Sequence, residues 1–152
     1  MDLSTDGSTV VEVFRLGVRG ARLTYRVSEH RLSGDVHPDD LARRLAGSGQ
    51  VDMLHSTSWR FDAGRIVLTY VTLPDPDPGD AVELDPATPL AAGDDPLSPS
   101  PAVADRAAVA AHACRHLAFL RHTDPVIAAT AQRQPRLWEL LAGFRPNVAG
   151  KV

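Results

Sequence analysis

VDMLHSTSWRFDAGRIVLTYVTL, residues 51–73, carries the strongest β signal in the chain. Ile66-Val67-Leu68-Thr69-Tyr70-Val71 is dense in β-branched and aromatic side chains, and Trp59-Arg60-Phe61 answers it upstream. Such residues suit a pleated, half-buried surface. Between them Asp62-Ala63-Gly64-Arg65 reads as a turn, because glycine reaches positive φ without steric cost. The segment is therefore a β-hairpin.

A second hairpin lies upstream, from Val10 to Val27. Phe14, Leu16 and Val18 alternate with Arg15 and Gly17, and Leu23, Tyr25 and Val27 alternate with Arg22, Thr24 and Arg26. Alternation with period two predicts a sheet with one buried and one wet face. Gly17 to Gly20 holds the turn. Between the hairpins, Pro38-Asp39-Asp40 opens a short helix through Ala46, with proline at its first position and acids at its positive dipole end. Leu41 and Leu45 face the core, Arg43 and Arg44 face solvent, and Gly47 ends the helix.

Downstream the character changes. Eight of the twelve prolines fall between Pro74 and Pro101, which excludes a helix interior or a central strand and predicts an extended surface connector. Ser100-Pro101 then starts a helix to about Arg121, Asp124-Pro125 a second, and Gln134-Pro135 a third that carries Leu137, Trp138, Leu140 and Leu141 before Gly143. The expected fold is α+β: a small antiparallel sheet of two β-hairpins in the order β-β-α-β-β, with two or three C-terminal helices packed on one face. One domain is expected over residues 1–152, with a β-rich part at 8–73, a proline-rich acidic linker at 74–101 and a helical part at 102–146.

Composition narrows the function classes. The 152 residues are 43% hydrophobic, enough for a packed core, and the net charge of −3 does not make nucleic acid or an anionic membrane the default partner. Cys114 is the only cysteine and the N-terminus lacks a basic region followed by an apolar stretch, so a cytoplasmic protein is expected. No apolar run approaches the ~20 residues a membrane helix needs. Gly-rich phosphate loops, paired-Cys metal knuckles and dinucleotide fingerprints are missing.

Three constellations could carry chemistry. His112 and His116 stand four apart on a helix, the spacing that lets two imidazoles share a metal; Ala113 occupies the place where metalloprotease helices put glutamate, so a solvated polar face opposite the stripe of Val103, Ala110, Cys114 and Leu117 is the simpler expectation. His55-Ser56-Thr57-Ser58-Trp59-Arg60 is a dense polar run inside a strand. Alternation puts His55, Thr57 and Trp59 on one face and Ser56, Ser58 and Arg60 on the other, where hydroxyls beside a guanidinium suit a polar or anionic ligand. Neither an adjacent base nor a glycine-flanked elbow marks a serine nucleophile. Third, Arg15, Arg22 and Arg26 share the wet face of the first hairpin and offer an anion or nucleic-acid surface, but Phe14 and Tyr25 point the other way and leave it no stacking platform.

Residues 74–105 hold eight acids and no Lys or Arg, so this segment is a natural cover for the arginine face. The leading functional expectation is a non-enzymatic binding or assembly module that self-associates or docks a protein partner through Trp138 and Leu141. A small enzyme or metal-binding protein built on His112, His116 and the His55–Arg60 strand is the first alternative. Anion or nucleic-acid binding through Arg22 and Arg26 is the second. Whether a cofactor is bound is left open.

Overall fold

The computed structural model describes residues 8–47, 52–87, 106–144 and 150–151. Both hairpins form. β1 (Thr9–Arg19) pairs antiparallel with β2 (Arg22–Arg31) around Gly20 at φ 64°, and β3 (Met53–Asp62) pairs antiparallel with β4 (Arg65–Leu73) around Ala63 and Gly64 at φ 52° and 78°. Two successive positive φ values give the tight turn whose twist matches the strands, and Ala63 accepts a cost of about 1–2 kcal/mol to complete it.

Helix α1 (Pro38–Ala46) starts where the sequence predicts. His37 caps it by accepting from the Asp39 amide at 3.1 Å, and the Gly47 amide closes the last turn on the Arg44 carbonyl. A two-residue strand β5 (Val82–Glu83) precedes α2 (Arg106–Thr123), α3 (Pro125–Ala131) and α4 (Pro135–Leu141), and β6 (Gly150–Lys151) comes last. The Asp124 carboxylate accepts from the Val126 and Ile127 amides and fixes the start of α3. The predicted helix start at Ser100-Pro101 and the linker from residue 88 lie outside the described residues.

The fold is α+β in the order β-β-α-β-β with helices following, and two features correct the sequence reading. The sheet is mixed: its strand order is β5-β2-β1-β4-β3-β6, and β1 runs parallel to β4 at its centre. A parallel pair needs a crossover, and α1 supplies it by carrying the chain from β2 over one face to β3. The second correction follows from the first. With α1 on one face and α2–α4 on the other, the central strands have no wet face. Val11, Val13 and Tyr70 pack with Leu41 and Ala42 of α1, while Phe14, Leu16, Val71 and Leu73 pack with Val109, Leu117, Leu137 and Trp138.

Trp138 and Leu141 belong to that second core and are shielded from solvent. They are packing residues of this chain in the described fold, not an exposed docking surface. Amphipathic spacing alone marks an apolar face without saying whether the chain's own sheet covers it.

The acidic connector begins by lying across the first hairpin. The Asp75 amide donates to the Leu16 carbonyl at 2.7 Å, the Leu84 amide donates to Leu23, and β5 pairs with Thr24 and Tyr25 of β2. Gly17 permits this approach: a Cβ there would stand 2.8 Å from the Asp75 Cβ, closer than real contacts allow.

Candidate functional site

Strand β3 gathers the polar residues, and a bulge decides which face each one takes. His55 pairs with Val71, Ser56 with Tyr70, Ser58 with Thr69, Trp59 with Leu68 and Arg60 with Val67, with the register shifting between Ser56 and Ser58. The extra residue is Thr57, whose hydroxyl donates to the Thr69 carbonyl at 3.3 Å. A bulge adds one residue to one strand and reverses the alternation beyond it. His55, Ser58 and Arg60 therefore share the face beneath α2, while Ser56 and Trp59 take the face of α1. Strict alternation, the sequence expectation, grouped His55 with Trp59 instead.

Beneath α2 the sheet buries a charged network. Arg60 donates through Nη1 to Glu12 Oε1 at 2.5 Å and through Nη2 to Glu12 Oε2 at 3.2 Å, and the Thr69 hydroxyl donates to Glu12 Oε1 at 2.6 Å. The Glu12 side chain is fully buried and that of Arg60 is 8% exposed. A forked guanidinium–carboxylate pair is the geometry that best offsets desolvation. Glu12 escaped the sequence reading although a signal existed: it stands two residues before Phe14, on the inward phase of β1, inside the apolar run Val10–Phe14.

Helix α2 lies along β3 in the opposite direction. At its start Arg106 pairs with Glu29 at 3.2 Å beside Arg60, and further along His116 stacks on His55 with ring centroids 5.6 Å apart. His112, one turn before His116, lies between these ends. Both histidines are buried, so the solvated polar face expected for them is not present. Burial, reinforced by Arg115, lowers the His112 pKa below its ordinary value; burial also lowers that of His55, against the pull of Asp124. Both rings are therefore neutral at pH 7. A metal needs a third ligand, and among the described residues no three His, Cys, Asp or Glu side chains converge to supply one. Cys114 is buried, and burial raises its thiol pKa far above the ordinary value, which makes it inert.

Four buried atoms along this seam have no hydrogen-bond partner among the described residues: Ser58 Oγ, Arg60 Nε, Asp62 Oδ1 and His112 Nε2. At the open end a cavity of about 160 Å³ is lined by Glu29, Arg60, Asp62, Arg65, Val67 and Arg106. On the opposite face a cleft of about 270 Å³ is bounded by Asp39, Arg43, Leu54, His55, Ser56 and Tyr70, with the Tyr70 hydroxyl donating to Asp39 at 2.5 Å. A wider hollow, about 850 Å³ between the end of α2 and α4, is lined by none of the predicted site residues and, among the described residues, by no buried polar atom lacking a partner.

The arginines of the first hairpin stand apart from this seam and are engaged by the chain itself. Arg26 forks onto Asp75 at 2.7 and 2.5 Å, and Arg19 donates to the carbonyls of Pro78, Gly79 and Ala81. Arg15 donates to the carbonyls of Leu45 and Ala46 at the end of α1. The hydrogen bond to Asp75 raises the Arg26 pKa. Burial alone would raise that of Asp75, but Arg26 and the Asp77 amide outweigh it and hold the carboxyl below its ordinary value. Arg22, at the hairpin turn, is exposed.

No protein-family model matches the chain, and comparison with curated proteins and with solved structures returns no match.

Proposed function

We propose that this chain is a non-enzymatic, cytoplasmic binding module that holds a small polar ligand in the seam between β3 and α2. The observation that carries this reading is the row of four buried polar atoms without partners. Leaving a buried donor or acceptor unpaired costs about 1–3 kcal/mol each, and two of the four, Arg60 Nε and Asp62 Oδ1, belong to side chains that line the cavity at the open end, where a ligand can supply what the chain does not. The non-catalytic reading rests on the same atoms. Ser58 Oγ and His112 Nε2 both lack a partner, so they are not bonded to each other, and a serine nucleophile needs that contact with its base.

Replacing Asp62 with Asn tests the reading. In an empty protein the change removes a buried carboxylate oxygen that lacks a partner and leaves stability unchanged or higher; in a binding module it weakens the ligand. Thermal shift across a panel of small polar metabolites is expected to give at least one compound that stabilises the native sequence and not Asp62→Asn. A panel without any stabiliser, or stabilisation that persists in the variant, overturns the proposal.

A second reading, assembly with another copy of the chain, is favoured by the outer face of the β3–β4 hairpin. Trp59, Phe61 and Ile66 stand there on one face, 43%, 64% and 38% exposed. Residues 53–59 of β3 carry no Asp, Glu, Lys or Arg, and among the described residues β6 pairs with Ser58 and Trp59 alone. An uncharged edge lets β3 pair with β3 of a second copy without like-charge repulsion.

A further inference from the structure

We infer that the ligand of the β3–α2 seam is a small zwitterion, an α-amino acid with a short side chain, seated between Arg65 and Asp62. This deepens the binding-module reading and rests on it. Three arginines and two acids line the 160 Å³ cavity, Glu12 behind Arg60 balances them, and most are paired. Glu12 holds both terminal nitrogens of Arg60, and Glu29 holds Arg106 at 3.2 Å. Two groups of opposite sign remain. The Arg65 side chain makes no hydrogen bond or ion pair among the described residues, and Asp62 keeps Oδ1 buried without a partner among them. Arg60 Nε stands 4.0 Å from Asp62 Oδ2, too far for a hydrogen bond, and is itself an unpaired buried donor.

The chemistry that satisfies all three groups is an acceptor carrying negative charge for Arg65 and Arg60 Nε, joined at short range to a positive donor for Asp62 Oδ1. A simple anion would face the Asp62 carboxylate with nothing to donate, and a simple cation would leave Arg65 and Arg60 Nε unanswered. A carboxylate and an ammonium on one carbon answer both ends, and the ligand adds no net charge to a site that already balances. The cavity volume limits the side chain to a few atoms, as in glycine, alanine or serine.

Isothermal titration of the full chain with glycine, acetate and methylammonium tests this. Glycine is expected to bind one per chain, with acetate and methylammonium each weaker by about tenfold or more, since each supplies only one end. Asp62→Asn is expected to weaken glycine by a similar factor and to abolish the discrimination against acetate. Arg65→Gln, on a partly exposed side chain, tests the other end and is expected to abolish the discrimination against methylammonium. Acetate or methylammonium binding as tightly as glycine, no glycine binding, or glycine binding unchanged in both variants overturns the inference. If glycine fails while another polar compound stabilises the native sequence and not Asp62→Asn, the zwitterion class falls and the binding-module reading stands. If no compound does so, both fall.

Discussion

Glu12 and Arg60 show why a buried charge is informative at the scale of single residues. Each alone would be costly beneath α2, and together they satisfy three of the carboxylate's hydrogen-bonding positions with Thr69. Arg60→Met is expected to destabilise the fold by about 3–5 kcal/mol, because it strands a buried carboxylate, and the double variant Glu12→Leu with Arg60→Met is expected to recover most of that loss. Urea unfolding of the three variants checks the cycle; a single variant as stable as the native chain would show that Glu12 is not confined. Ser58 and Arg60 were legible in the sequence as polar groups sharing one face of a strand, and they do share the face beneath α2. The place of His55 on that same face was not legible, because a bulge at Thr57 leaves no mark in composition and inverts the assignments on one side of it. Asp62, read only as a turn residue, joins the site for the same reason.

At the scale of elements, local signals placed the starts of α1, α3 and α4, since proline at the first helical position and the Asp124 cap act within a few residues. They could not place elements against one another. The hairpin signals are the same whether the two hairpins meet by antiparallel or parallel neighbours, and the path of α1 over the sheet decides it. The same limit applies to α4, whose apolar face looked fit for a partner and is filled by the chain's own core at Trp138 and Leu141. The segment from Asp75 to Glu83 is the clearest case of an element placed by distant contacts, with Asp75 on Arg26 and three carbonyls on Arg19. Its seat depends on Gly17. Gly17→Val is expected to displace Asp75 and cost about 1–3 kcal/mol, and to free Arg26 to bind heparin resin at low salt. Unaltered stability together with unaltered retention would show that the segment is not held against the hairpin.

At the scale of the whole molecule, a mixed sheet between α1 and the three later helices encloses two apolar cores, and the polar seam on β3 interrupts one of them where packing would otherwise be continuous. Among the described residues no helix is long and apolar enough to cross a membrane. This seam is proposed as a binding site filled from outside the chain. Native mass spectrometry of the untagged protein reads it most directly, because subunit number and bound mass appear together. One small polar adduct per chain is expected, released on denaturation and missing from Asp62→Asn; a dimer carrying that adduct would add the β3 edge contact to the picture. A folded chain whose native and denatured masses agree, with nothing bound, would contradict it.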